Sequence, residues 1–260
     1  MSKQPKNQPN PPGNRRAQLQ QQREQEARER KVRNIITFSI LGVAVLAIVG
    51  VVVGVALTAA KPPVSDNDAT TGDYSVVVGK ADAPVTLTIF QDFMCPYCGD
   101  FERANRADLE ALVADGTAKI AFHTLNFQDG NSAGSKYSTR SANAFVAVAK
   151  AEPDKLMAFN AALYDNQPQE GTPGLSDAEI ADRARQAGVS ETVIATFAQL
   201  HNADFVNKAT AQALDQSRED SITGTPTIRI NGTDWPSGAT GEQYQAGPLK
   251  AAVLEAAGKK

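Results

Sequence analysis

The chain holds two cysteines in 260 residues, and they stand three apart in Cys95-Pro96-Tyr97-Cys98. Residues three apart at the start of a helix lie about one turn from each other. The first helical turn carries unpaired backbone N–H groups and the positive end of the helix dipole, so negative charge is favoured there. Such positions lower a thiol pKa from about 8.5 to roughly 3.5–7.5. Cys95 is then the sulfur that attacks or is attacked. Cys98, one turn further in, can attack a mixed disulfide formed at Cys95, which is two-step thiol–disulfide exchange. Pro96 suits the first turn because the N–H it lacks would have no partner there. With Tyr97 it forms the dipeptide that tunes the pair. Two blander chemistries use the same residues. The pair can close a purely structural disulfide, or supply two ligands to a metal with His123 or another chain. Exchange is favoured by the placement of the pair between a strand and a helix. Two cysteines are too few for a disulfide scaffold or an all-cysteine zinc site, and two histidines leave little room for multi-histidine metal chemistry.

The elements that must position the pair can be read on either side of it. Residues 85–90 (VTLTIF) are β-branched, follow Pro84 and predict a strand. Residues 96–114 predict a helix, with Phe101, Ala104, Leu109, Leu112 and Val113 at roughly helical spacing and Gly116 just past the end. Residues 119–125 alternate and predict a second strand, which completes a βαβ unit. A helical stretch follows. It includes the apolar run 142–149, a start at Pro153, the capping-box pattern Ser176-Asp177-Ala178-Glu179 closed by Gly188, and a run over 191–217 broken near His201-Asn202. The period changes after Gly224. Residues 227–230 (TIRI) predict a strand, Asn231-Gly232 a hairpin turn, a partner strand runs through Trp235, and 249–256 form a last helix. The class is α/β, in the order βαβ, helical insertion, ββα.

Proline at the start of a strand removes a ladder donor and calls for a reason. A cis Thr225–Pro226 bond is one such reason, although trans is the commoner form. His123, on a predicted strand, reads as a packed or surface residue, and His201 has no partner recognisable from spacing. Asn231-Gly232-Thr233 fits a glycosylation acceptor but is first a turn signal, and Trp235 reads as a packing residue.

FQDFMCPYC before a helix, then a helical insertion, then TGTPTIRING, resembles the DsbA-like thiol–disulfide oxidoreductases of the thioredoxin superfamily. The resemblance covers about residues 74–258. It implies a thioredoxin-like fold with a helical insertion over about 133–220 that covers the active-site face. Cys95 would be the nucleophile and Cys98 the resolving thiol. Pro226 would be cis and face the pair, and Thr225 would offer backbone groups to an extended substrate. No organic cofactor or metal is implied, because the cysteine pair is the redox group. Two departures matter. Many relatives carry an acidic residue six positions before the first cysteine, where Ile89 stands here. Asp92 is nearer the motif but falls on the loop beyond the strand, and it is not given that role. The strongest oxidants of the family carry Pro-His between the cysteines, where a cationic His helps hold the thiolate. Pro96-Tyr97 lacks that charge, so a milder oxidant with a less depressed Cys95 is expected.

Charge is distributed unevenly. Residues 1–34 carry nine basic and three acidic side chains, a net of +6, and the remainder carries 17 against 26, a net of −9. An acidic remainder excludes a general nucleic-acid-binding domain, which needs a basic face. Residues 1–34 are rich in Pro, Gln, Asn and Arg and predict a basic disordered tail. Residues 35–60 contain no charged side chain. As a helix they would reach roughly 39 Å, enough for the hydrocarbon core of about 30 Å. Basic residues before the span and acidic ones after it place the N-terminus in the cytoplasm and residues 74–260 outside, anchored in the cytoplasmic membrane by one transmembrane helix. A cleavable signal peptide is the competing reading, kept open by Thr58, Ala59 and Ala60. Residues 61–73 read as a linker. The expected activity is oxidation of dithiols in unfolded or reduced exported proteins, with a membrane redox partner that recycles the pair. The alternatives are a disulfide reductase or isomerase, or a non-enzymatic tethered binding domain with a structural bridge.

Overall fold

The computed structural model describes residues 69–236 and 240–258. The predicted tail, the predicted membrane span and residues 61–68 of the linker lie outside the described residues. Among the described residues no helix is long and apolar enough to cross a membrane.

The strands are β1 (Val76–Val78), β2 (Val85–Gln91), β3 (Ala118–Thr124), β4 (Thr227–Ile230) and β5 (Thr233–Trp235). They form one sheet in the order β1-β3-β2-β4-β5. Only β2 and β3 are parallel, and the helix α1 (Pro96–Ala114) connects them, as a parallel pair requires. The helices α2 (Tyr137–Ala151), α3 (Leu156–Tyr164), α4 (Asp177–Gln186), α5 (Glu191–Ile194) and α6 (Ala203–Leu214) follow, and α7 (Pro248–Ala256) comes last.

Strand alternation separates two cores. Val85, Leu87 and Ile89 point to one face with Ile120, Phe122 and Ile228. There they join Phe101, Leu109 and Leu112 of α1 and Leu249 and Val253 of α7. Phe90 points to the other face and packs with Leu125, Ala209, Ala213 and Ile222. Each of these large side chains contributes roughly 1.5–3 kcal/mol by leaving water. The buried positions of α1 include Cys98, Phe101, Glu102, Asn105, Leu109 and Leu112, one stripe at helical spacing, so Cys98 belongs to the core face of its helix.

The helix predicted over 96–114 has those bounds, with Pro96 in its first turn and Gly116 at φ 75° after it. Ser176 and Glu179 form the reciprocal capping box, and the last helical run does break, with α5 separated from α6 by a 3₁₀ turn Phe197–Gln199. Three boundaries need correction. The domain begins by Ala69 rather than at 74. The Val77 N–H donates to the Ala69 carbonyl at 2.7 Å, and Thr70 bridges Val76, so the end of the predicted linker belongs to the fold. The strand β1 was not predicted, because three valines are too few to show a period. Helical structure in the insertion runs from the 3₁₀ turn Phe127–Asn131 to Leu214, earlier at both ends than 133–220.

Candidate active site

The strand β2 delivers Gln91 and Asp92 to a turn, and Cys95 is the residue before the first helical position of α1. The turn is held on every side. The Cys95 N–H donates to the Asp92 carbonyl at 3.1 Å, and the Cys98 and Gly99 N–H groups donate to the Cys95 carbonyl at 3.1 and 3.3 Å. From the insertion, Gln167 Nε2 donates to the carbonyls of both Phe93 and Cys95, at 2.9 and 2.8 Å. Gly99 makes room for it, since a Cβ there would overlap the Gln167 side chain. Phe93 packs against Phe145 of α2 and Tyr164 of α3, with ring centroids 5.6 and 5.1 Å away. The insertion therefore sets the turn that carries Cys95.

Both cysteines are free thiols and both are buried. The Cys95 thiol faces the loop before β4 and donates to the Thr225 carbonyl at 3.3 Å. The Thr225–Pro226 bond is cis. Cys98 Sγ accepts from the Asp92 N–H at 3.5 Å. The structure thus brings together Cys95, Cys98, Thr225 and Pro226, with Pro96 buried in neither core and Tyr97 standing out into solvent. His123 does not join them. It stacks on Phe90 at 4.5 Å, lines a separate cavity of about 300 Å³ with Asp73 and Arg229, and makes no hydrogen bond to either thiol. His201 is exposed and bonds Gln199. Among the described residues no group of three or more His, Cys, Asp or Glu could hold a metal ion.

The two thiols are pushed apart in acidity. Cys95 is drawn down to about 6, chiefly by the Cys98 thiol donating to its sulfur. Burial opposes this, while the Thr225 hydroxyl and the N–H groups of Cys98 and Tyr97 assist it. Cys98 is raised well above an ordinary thiol, first by burial and then by its neighbour Cys95. The Thr225 hydroxyl is buried with no other hydrogen-bond partner, which leaves it free to donate to the Cys95 thiolate. Alkylation of reduced Cys95 is expected to follow a titration centred near pH 6. Thr225→Val should move that midpoint up by roughly one to two units, because a hydrogen bond to a charged group is worth about 1.5–3 kcal/mol. An unmoved midpoint would remove Thr225 from the set.

Asp92 is the feature that motif reading left without a role. It is fully buried, and its carboxylate accepts from the Met94 N–H at 2.9 Å, the Ser138 hydroxyl at 2.6 Å and the Gln128 N–H at 3.1 Å. Burial outweighs these donors and lifts its pKa to about 7 from an ordinary 3.8. The folded protein therefore prefers the protonated acid. That contribution to stability is complete below about pH 4 and is lost as pH rises through 7. The unfolding free energy, followed with urea across this window, should fall by up to about 4 kcal/mol relative to Asp92→Asn, which has no such titration. Parallel pH profiles for the two proteins would show that Asp92 titrates normally.

A family model described as Thioredoxin matches residues 71–246. The chain belongs to the thioredoxin family. Within it, disulfide bond formation protein D of Bacillus subtilis is 30% identical over 173 residues, which cover 64% of this chain and 73% of that protein. The oxidised crystal structure of Mtb DsbA superposes with a TM-score of 0.59 at 26% identity, over 71% of this chain and 93% of that one. The serine/threonine-protein kinase PknE of Mycobacterium tuberculosis is 34% identical over 157 residues, 59% of this chain, and the chain spans only 28% of PknE's length. The thioredoxin domain of this chain is of the protein disulfide oxidoreductase type represented by DsbA, with a helical insertion.

Signals for the missed residues were weak. Asp92 announced itself only as an acid beside the motif. Gln167 sits 72 residues from the carbonyl of Cys95 that it holds, and no local pattern links the two.

Proposed function

We propose that this protein is a membrane-anchored, extracytoplasmic oxidant that introduces disulfides into exported proteins through Cys95 and Cys98. The observation that carries the oxidising direction is the place of Cys95 at the N-terminus of α1 with Cys98 buried one turn behind it, an arrangement that depresses the Cys95 pKa and raises that of Cys98. A stabilised thiolate favours the reduced pair, and a pair that prefers to be reduced passes its disulfide on. In the reaction, a substrate thiolate attacks Cys95 Sγ of the disulfide form. The Cys95–Cys98 bond breaks, and Cys98 leaves and takes up a proton. A second substrate thiolate then attacks the substrate sulfur of the mixed disulfide, and Cys95 leaves as the thiolate. The substrate loses two electrons and gains a disulfide, and the enzyme ends as the dithiol. Pro96 and Tyr97 tune the leaving group, and Thr225 and Pro226 receive the substrate chain.

Location is argued from the uncharged run 35–60 behind a basic tail, and from the persistence of disulfides outside the cytoplasm. A membrane redox partner would return the pair to the disulfide, and no nucleic acid is involved. The test mixes the oxidised protein with a reduced, unfolded substrate protein and counts substrate thiols. Stoichiometric loss of two thiols per enzyme supports the reading. Unchanged substrate thiols in this mixture, with the reduced protein instead opening the disulfides of an oxidised substrate in a parallel one, would make it a reductase.

A further inference from the structure

Thr225 and Pro226 end a stretch, 215–226, that runs from the end of α6 to the start of β4 with no helix or strand of its own. Most of its hydrogen bonds stay within it or go back to α6. The Ser221 N–H donates to the Arg218 carbonyl at 3.3 Å, and the Ile222 N–H to the Ala213 carbonyl at 2.7 Å. Gln216 Nε2 donates to the carbonyls of Leu214 and Ile222. These bonds fold the stretch on itself and do not fix it to the sheet. Arg229 of β4 does. Its Nη1 donates to the Asp220 carbonyl at 2.8 Å and its Nη2 to the Ser221 carbonyl at 3.4 Å.

Arg229 is itself held firmly. It is buried, and a buried charge is costly unless it is paired and hydrogen-bonded. Its Nε donates at 2.6 Å to Asp234 Oδ1 of β5, the residue opposite it in the register. Its guanidinium also lies 5.2 Å from the centre of the Phe90 ring, on which His123 stacks. Phe90 belongs to β2, the strand that leads to Cys95. One side chain therefore touches both the strand before the nucleophile and the stretch before Thr225. A planar guanidinium has its N–H groups in fixed directions, so the ion pair at Nε leaves the two terminal nitrogens for the carbonyls.

We propose that Arg229 is a positioning residue for disulfide exchange, strapping the 215–226 stretch to the sheet so that Thr225 is set against Cys95. It makes no hydrogen bond of its own to either cysteine among the described residues. The strap is felt at Thr225, whose carbonyl accepts from the Cys95 thiol at 3.3 Å and whose hydroxyl can donate to the thiolate. Hydrogen bonds weaken steeply as their geometry departs from the optimum, so a stretch released at Asp220 and Ser221 would lose part of both. Asp234 balances the charge of Arg229, so the strap acts through the two carbonyls rather than through a net field. The effect on substrates rests on the exchange reading above, and the effect on Cys95 does not.

The test uses the full-length protein and three variants, Arg229→Met, Arg229→Lys and Asp234→Asn, with thermal unfolding to confirm that each folds. Two quantities are read. One is the pH midpoint of Cys95 alkylation in the reduced protein. The other is the rate at which the oxidised protein oxidises a dithiol peptide relative to dithiothreitol, which has no chain to position. Arg229→Met should raise the midpoint by about half a unit to one unit, part of the rise expected of Thr225→Val. It should also lower the peptide-to-dithiothreitol ratio about 5-fold, the loss expected from one misplaced hydrogen bond. Arg229→Lys keeps a charge for Asp234 but cannot span both carbonyls, so it should show at least about half of each change, and it carries the test if Arg229→Met does not fold. Asp234→Asn leaves the carbonyl bonds in place and should show neither. An unmoved midpoint and ratio in a folded Arg229 variant would overturn the strap. So would an Asp234→Asn protein that matches Arg229→Met, because the ion pair would then be the operative contact. A parent protein that cannot oxidise dithiothreitol would overturn the exchange reading instead, and the alkylation midpoint, which needs no substrate, would still decide the strap.

Discussion

Cys95→Ser is expected to reduce thiol–disulfide exchange by at least about 10³-fold, to the background of the uncatalysed reaction. The sulfur is the atom that forms and breaks the bond, and a serine hydroxyl cannot form a disulfide. The fold should survive, because the new hydroxyl can donate to the Thr225 carbonyl as the thiol does now at 3.3 Å. Thermal unfolding of the variant, reduced and compared with the reduced parent, separates lost chemistry from lost structure. A stable Cys95→Ser protein that still oxidises a dithiol would remove Cys95 from the reaction.

Cys98→Ala should have two effects at once. It removes the thiol that can release a bound partner, so a mixed disulfide at Cys95 becomes the end product rather than an intermediate. One equivalent of substrate or glutathione should remain bound through denaturing, non-reducing electrophoresis and be released by dithiothreitol. It also removes the donor that does most to hold the Cys95 thiolate, so the Cys95 pKa should climb from about 6 toward that of an ordinary thiol. Cys98→Ser keeps a donor at the same place and should trap the adduct with a smaller rise. Equal pKa values in the two variants would show that the helix terminus, rather than Cys98, sets the acidity.

The parts of the site that depend on neighbours in the chain were legible from residue types. A strand leading into Cys95-Pro96-Tyr97-Cys98, the bounds of α1 and the hairpin at Asn231-Gly232 all rest on local rules. Asn231 and Gly232 both have positive φ, as that turn needs, and Asn231 Oδ1 accepts from the Thr86 N–H. Thr225 and Pro226 stood out locally as an unusual strand start, but as partners of the cysteines they were legible only through the family resemblance, which carried them across the insertion. What stayed hidden is made by packing between distant segments. Gln167 reaches the Cys95 turn from the loop after α3, in the middle of the insertion, and Tyr244 is held against α1 by an asparagine 138 residues away from its neighbour Gln243. Asp92 looked like a loop acid. It is buried because α2 and the 3₁₀ turn before it close over the loop, which no periodicity in β2 foretells.

The reduction potential of the Cys95/Cys98 couple, equilibrated against glutathione in the full-length protein, tests the central claim most directly. An oxidant milder than the strongest members of its family should fall between about −120 and −200 mV. A value near or below about −270 mV would contradict an oxidising role, and a couple still closed below about −300 mV would make the pair a structural bridge.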